Sequence, residues 1–292
     1  MVATRQGIVG CFMKRKTVQE TIETCDGLDL FCETYPVDEP QGVAIISHGF
    51  GEHCGVYKSL ADALQDQNFA VFTYDLRGHG KSPGERGDFG SLGDVVDDLE
   101  LLVARANERY ESKPLFLLGH NIGGSIAAIY TVKTRPHIGG LLLSHLPFHI
   151  ESSSVQRIIK PLLKVFLPIE SEHKAQDFLG AVQANDELLH HQALTMMATV
   201  ELDEGHHRLQ RKGDQLVCPL YVVCKKSHGA EHQRFFDRTL SYSKEIALHD
   251  MHPSAPSVFE PMIAWMAKRV PEFESMDEAV EDDDTELSAR SF

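Results

Sequence analysis

Gly119-His120-Asn121-Ile122-Gly123-Gly124 is the stretch whose reading decides the fold. It follows the apolar run Leu115-Phe-Leu-Leu118 and leads into a helix-forming segment. The spacing is that of a nucleophile elbow, G-x-S-x-G, in which small residues let a strand turn sharply into a helix and lift the apical side chain off the top of a sheet. The apex here is Asn121, and a carboxamide is not a useful nucleophile. The shape of an enzyme and the absence of its attacking group are thus written in the same six residues.

Outward from the elbow, short β-rich runs recur, each followed by a helical pattern: Val43 to Ser47, Ala70 to Asp75, Leu115 to Leu118, Leu141 to Ser144, Leu220 to Cys224 and Glu245 to Leu248. Such alternation predicts βαβ units around a mostly parallel sheet. Ser91 is placed to cap a helix whose Val95, Val96, Leu99, Leu102, Val103 and Ala106 share one face. A second helix is expected over Pro256 to Arg269, with Met262, Ile263, Trp265 and Met266 as its apolar positions, and Asp26-Gly27 joins two strand-like pieces of Thr17 to Tyr35 as a hairpin. Residues 17–145 and 213–272 therefore read as one α/β core.

Between them, residues 146–212 break the rhythm. They are expected to form a helical cap above the sheet, with no strand until Leu216. Within it, Val155-Gln-Arg-Ile-Ile-Lys-Pro-Leu-Leu-Lys-Val-Phe-Leu167 is basic and amphipathic, a composition that packs onto the fold beneath or lies on a membrane surface. Residues 1–16 read as a loose arm. Residues 273–292 hold eight acids against Arg290, a local net of −7, and read as an acidic, disordered tail.

That tail carries about half of the formal charge of −15, so the folded part is only mildly acidic and nucleic acid is not expected as a partner. No stretch approaches about 18 consecutive apolar residues, and the N-terminus lacks the hydrophobic run of a signal peptide. A cytoplasmic or membrane-peripheral protein is expected. The six cysteines form no C-x-x-C pair and the adjacent histidine pairs His190-His191 and His206-His207 point apart on a helix, so reduced thiols, exposed or capping histidines and no metal or other cofactor are expected.

Four separated pieces carry a resemblance. His48-Gly-Phe-Gly-Glu-His-Cys-Gly-Val-Tyr57, Asp75-Leu-Arg-Gly-His-Gly-Lys-Ser82, the elbow, and His252 after the last strand resemble, in this order, the monoacylglycerol lipase and lysophospholipase branch of the α/β-hydrolases. The resemblance runs from about Thr17 to Val270 and implies the α/β-hydrolase fold with a cap. It implies an oxyanion hole from the backbone N–H groups of Phe50 and Ile122, which would stabilise charge developing on an ester oxygen. Of the three triad positions, only His252 keeps its type, as the base. Asn121 stands at the nucleophile position, and His228, in Lys225-Lys-Ser-His228, stands at the acid position. A histidine cannot supply the permanent negative charge that orients the base. Glu231 and Asp250 are nearby carboxylates that could substitute, Cys54 reads as a packed thiol rather than a second nucleophile, and Ile122 should hinder deamidation of Asn121 to aspartate.

Three functional readings follow. The first is a catalytically inactive hydrolase-like protein that binds a lipid-like ligand or a protein partner. The second is an ester hydrolase acting on monoacylglycerol or lysophospholipid through a repositioned residue, with Ser125, one helical turn past the apex, as the candidate. The third is a protein-interaction scaffold that uses the acidic tail.

Overall fold

The computed structural model describes residues 16–147, 170–174 and 193–289. Eight strands form the main sheet: β1 (Val18–Glu23), β2 (Asp29–Tyr35), β3 (Gly42–Ser47), β4 (Phe69–Tyr74), β5 (Leu115–His120), β6 (Gly140–Ser144), β9 (Leu220–Cys224) and β10 (Lys244–Leu248). Their spatial order is β1-β2-β4-β3-β5-β6-β9-β10. The β1–β2 and β2–β4 pairs are antiparallel, and every pair from β4 to β10 is parallel. Continuous apolar runs such as Gly42–Ser47 and Leu115–His120 are buried along their whole length, as strands covered on both faces must be.

Helices cover the two faces. On one lie α2 (Leu92–Arg109), α3 (Ile122–Thr134) and α4 (Met196–Lys212), whose Leu99, Leu102, Ile126, Ile129, Leu202 and Leu209 pack with Val43, Ile45 and Leu117 of the sheet. On the other lie α1 (Lys58–Asp66) and α6 (Pro256–Ala289), where Leu60, Leu64, Val258, Met262 and Trp265 pack against Ala44, Ile46, Phe116 and Tyr221. Helix α5 (Gly229–Arg238) lies between β9 and β10 in sequence. The start of α2 is fixed by a capping box, in which the Ser91 hydroxyl accepts from Asp94 N–H and the Asp94 carboxylate accepts from Ser91 N–H.

On the α2 face, Arg77 from the loop after β4 forms two hydrogen bonds with the buried Asp98 carboxylate, at 2.7 and 2.8 Å, and reaches the half-exposed Asp26 at 2.8 and 3.1 Å. This bridge ties the Asp26-Gly27 hairpin turn to α2. It also fixes the Asp75–Ser82 loop, whose Asp75 carboxylate accepts from Cys54 N–H and Lys81 N–H.

Two expectations are corrected. The cap region contains an antiparallel ladder of β7 (Glu170–Lys174) and β8 (Ala193–Thr195) before Leu216. The polar β7 segment, Glu-Ser-Glu-His-Lys, has no apolar alternation from which a strand can be read. The last helix does not end near Arg269 but continues through Ala289, over most of the stretch expected to be a disordered tail. After Pro271 no Gly or Pro interrupts it, and Ala, Glu, Met and Leu are good helix formers. The amphipathic stretch 155–167, the pair His190-His191 and the arm 1–15 lie outside the described residues.

Candidate functional site

The elbow forms as its glycines require. A Cβ on Gly119 would meet Gly123 O at 2.4 Å, and one on Gly123 would meet Ser47 O at 2.2 Å, so the turn, the first turn of α3 and strand β3 interlock at backbone distance. Asn121 takes φ 50° and ψ −115°, a backbone conformation rare for a residue with a side chain and held here by Asn121 N–H donating to Ser144 O on β6. The first loop closes on it. A Cβ on Gly49 would stand 2.8 Å from His120 Cδ2 and 3.2 Å from Asn121 Cβ, so the loop carrying Phe50 lies directly against the apex. His48 steers that loop: its Nε2 accepts from Leu76 N–H and its Nδ1 donates to Gly49 O. Burial keeps that ring below its ordinary pKa.

Three of the expected site positions, Phe50, Asn121 and Ile122, are therefore brought together. The apical side chain is turned inward: Asn121 Oδ1 accepts from Ile122 N–H at 2.8 Å. This is the N–H that the resemblance assigns to the oxyanion hole. An incoming carbonyl oxygen would have to displace the carboxamide to use it.

His252, on the loop between β10 and α6, does not face the apex with a free nitrogen. Its Nε2 lies 2.8 Å from Glu52 Oε1, and its Nδ1 lies 2.7 Å from Ser254 Oγ and 3.1 Å from Ser254 N. A backbone N–H can only donate, so Nδ1 is the acceptor and the ring proton sits on Nε2, directed at the carboxylate. The Nδ1 edge, where a triad acid would hold the ring, is occupied by Ser254 rather than by His228. His228 ends a short 3-10 turn (Lys226–His228), and its carbonyl caps His232 Nδ1 at 3.0 Å. Asp250 is committed elsewhere, accepting from Lys226 N–H at 3.1 Å.

Glu52 is the residue whose part at this site went unread in the sequence. Its Oε2 accepts from Gly49 N–H at 2.8 Å and from the Tyr57 hydroxyl at 2.6 Å, while Oε1 faces His252 and, at 3.7 Å, His120 Nε2. Burial opposes its charge, yet its histidine neighbours and the Tyr57 hydroxyl hold its pKa well below the usual carboxylate range. Burial also pushes His120 far below its ordinary value, so His120 is neutral near pH 7 and the carboxylate rests on its hydrogen bonds rather than on a second full charge. One potential ligand atom from each of Glu52, His120 and His252 lies within 4.8 Å of the others. The available signal was Glu52 and Tyr57 five residues apart in the first loop, which placed an acid and a phenol at the mouth without saying what they hold.

Ser125 also has a partner. Its hydroxyl lies 2.8 Å from His206 Nε2, a link between α3 and α4 beneath the elbow, with both residues buried. His206 is thus a core histidine and not the exposed or capping residue expected, and burial pushes its pKa down to about 4. Cys54 matches its reading as a packed thiol: it is buried and burial raises its pKa far above the ordinary value.

Comparison with known proteins bears on the family and the fold. A family model described as serine aminopeptidase, S33, matches residues 38–250. The chain is 30% identical over 274 residues to a monoglyceride lipase of Rattus norvegicus, covering 84% of this chain and 89% of that one. It is 29% identical over 271 residues to the Homo sapiens monoglyceride lipase, with 84% and 88% coverage. Among solved structures, a soluble variant of monoglyceride lipase from Saccharomyces cerevisiae, in complex with a substrate analog, superposes with a TM-score of 0.69 over 87% of this chain and 96% of that one, at 22% identity. No helix among the described residues is long and apolar enough to cross a membrane.

Proposed function

We propose, from the premise that this chain belongs to the serine aminopeptidase S33 family of α/β-hydrolases in its monoglyceride lipase-like branch, that it binds a monoacylglycerol-like lipid or a protein partner without hydrolysing an ester. The observation that carries the reading is the Asn121 carboxamide seated on Ile122 N–H. In place of a nucleophile the apex presents an internal acceptor, and the donor that would stabilise an oxyanion is already satisfied. Removing one such donor elsewhere lowers kcat by about 10²–10³. Loss of the nucleophile removes the chemical step itself. The engagement of His252 by Glu52 and Ser254 supports the same reading, because a base with both nitrogens occupied cannot take a proton from the apex. The basic, amphipathic composition of residues 155–167 supports contact of the cap with a lipid surface, and a cytoplasmic, membrane-peripheral location.

One observation favours a second reading, hydrolysis through Ser125: its 2.8 Å contact with His206 is a serine–histidine pair. Its full burial, on the first turn of α3 behind the apex, weighs against it.

The test pairs binding with turnover. The purified chain should bind a non-hydrolysable monoacylglycerol ether by calorimetry while releasing no fatty acid from monooleoylglycerol and taking no label from a fluorophosphonate probe. Asn121→Ser with His228→Asp should create hydrolysis. Turnover by the native chain that disappears with His252→Ala, or probe labelling of Ser125, would refute the proposal.

A further inference from the structure

Three chain segments that are distant in sequence bring a carboxylate and two imidazoles to one point. Glu52 comes from the loop after β3, His120 from the last residue of β5, and His252 from the loop before α6. Glu52 Oε1 lies 2.8 Å from His252 Nε2 and 3.7 Å from His120 Nε2, and the two rings meet edge to face with centroids 4.7 Å apart. All three side chains are nearly sealed from solvent, His252 being the most exposed at 8%.

The arrangement around these atoms is directional. Gly49 N–H and the Tyr57 hydroxyl hold Glu52 Oε2, so Oε1 alone points at the histidines. Each ring is anchored through Nδ1 to a serine hydroxyl, His120 to Ser144 at 3.3 Å and His252 to Ser254 at 2.7 Å, so both present Nε2 to the same point. A ring Nδ1–H donated to an outer oxygen is what orients a metal-bound histidine, a bond that Ser144 Oγ is placed to accept from His120 and Ser254 Oγ from His252 once its proton sits on Nδ1.

We propose that Glu52, His120 and His252 form a binding site for a divalent d-block cation, with zinc as the best match. Zinc bonds nitrogen and carboxylate oxygen at about 2.0–2.2 Å, which sets tetrahedral ligand–ligand separations of about 3.3–3.6 Å. The two separations to Oε1, 2.8 and 3.7 Å, bracket that value. Movements of about half an ångström admit the ion at these bond lengths. Two imidazoles and one carboxylate are a donor set that zinc accepts and that calcium or magnesium, which prefer oxygen, do not.

The proton count closes without an outside partner. His252 carries its proton on Nε2; on binding, that proton moves to Nδ1, the Ser254 hydroxyl turns from donor to acceptor, the Ser254 N–H gives up its contact with Nδ1, and the Nε2 lone pair goes to the ion. His120 binds in the same tautomer, with its Nδ1 proton on Ser144 Oγ. The ion replaces the hydrogen bond between His252 and Glu52, and the fourth tetrahedral position falls to water. The site stands on the geometry of these three residues and not on the lack of hydrolysis proposed above.

The full-length chain, stripped with a chelator, is titrated with Zn²⁺ by calorimetry and with Co²⁺ by visible absorption. One ion per chain should bind, with the intense d–d bands of four-coordinate cobalt. His252→Ala and His120→Gln should each weaken zinc at least 100-fold, and Ser144→Ala, which loosens the His120 ring and also takes a hydroxyl from His145 Nδ1, should weaken it about 10-fold. Circular dichroism of each variant verifies folding. Should the His120 or His252 variant fail to fold, X-ray absorption of the zinc-loaded native chain decides, with two imidazoles and oxygen expected in the first shell. Absence of stoichiometric binding, affinity unchanged by His252→Ala and His120→Gln, or a sulfur ligand would each overturn the proposal. The readout is equilibrium metal binding, so its failure is distinct from the appearance of ester turnover.

Discussion

Acid should unfold this protein partly through one histidine beneath the elbow. Burial pushes His206 from 6.5 down to about 4, with Asp203 pulling it back up and His207 pushing further down. The ring accepts or shares the Ser125 hydroxyl at 2.8 Å and stays neutral in the fold. Because the folded pKa lies below the unfolded one, the unfolded chain binds a proton that the folded chain refuses between about pH 6.5 and 4. Stability from this group is therefore complete above pH 6.5 and is lost as pH falls toward 4. Linkage over that window gives a loss of about 2 kcal/mol at pH 5 and about 3 kcal/mol at pH 4. Against a typical total of about 5–15 kcal/mol this is a large fraction. His145, also pushed down to about 4 by burial, acts in the same direction. Urea unfolding followed by fluorescence of Trp265, the chain's one tryptophan and a buried residue, should measure the loss at pH 7.5, 6 and 5. His206→Gln keeps a partner for Ser125 but cannot titrate. Its stability should fall about 2 kcal/mol less than the native chain's between pH 7.5 and 5. Parallel curves for the two proteins would refute the argument, because every other titrating group is common to both.

Two further perturbations separate strong from weak features of the scaffold. Asp98→Ala leaves the buried Arg77 guanidinium without its main partner and should destabilise by about 3–5 kcal/mol, whereas Asp26→Ala, at the exposed end of the same bridge, should do so by under about 1 kcal/mol. Equal urea midpoints for the two variants would contradict that ranking. Gly123→Ala should lose more than about 3 kcal/mol, since its Cβ would fall 2.2 Å from Ser47 O and 2.5 Å from His48 O, backbone atoms that cannot step aside; a midpoint within error of the native chain would show that the elbow is less tightly locked.

What was legible in the sequence were the features with a local mechanism. Ser91 announces a helix start because a capping serine acts on the backbone a few residues on, and Gly119, Gly123 and Gly124 announce the elbow because only glycine fits where backbone meets backbone. Strands β3, β4, β5, β6 and β9 show as apolar runs because both faces are covered. The β7–β8 ladder did not show, because Glu170–Lys174 has no apolar side chain to set a period. Nor did the pairings Glu52–His252 and Ser125–His206, in which the partners lie far apart in the chain. A histidine motif states a residue type; which nitrogen faces which partner depends on the tertiary loop that arrives there.

The arrangements of Asn121 and of His252 are coupled, and the coupling sets what a substitution at the apex must overcome. Restoring only a hydroxyl at the apex would free Ile122 N–H, since serine cannot fold an amide oxygen back onto it. His252 would still donate to Glu52, a buried carboxylate with that bond as one of its few supports. Drawing the ring away to serve the apex forfeits a charge-assisted hydrogen bond of about 1.5–3 kcal/mol, which confines the competent pose to about 1–10% of molecules. An aspartate at position 228 would compete for the Nδ1 edge now held by Ser254, and would favour that pose only by as much as it binds the ring better than the serine does. Asn121→Ser alone should therefore lag the double substitution, and the gap between them measures how firmly Glu52 holds the histidine.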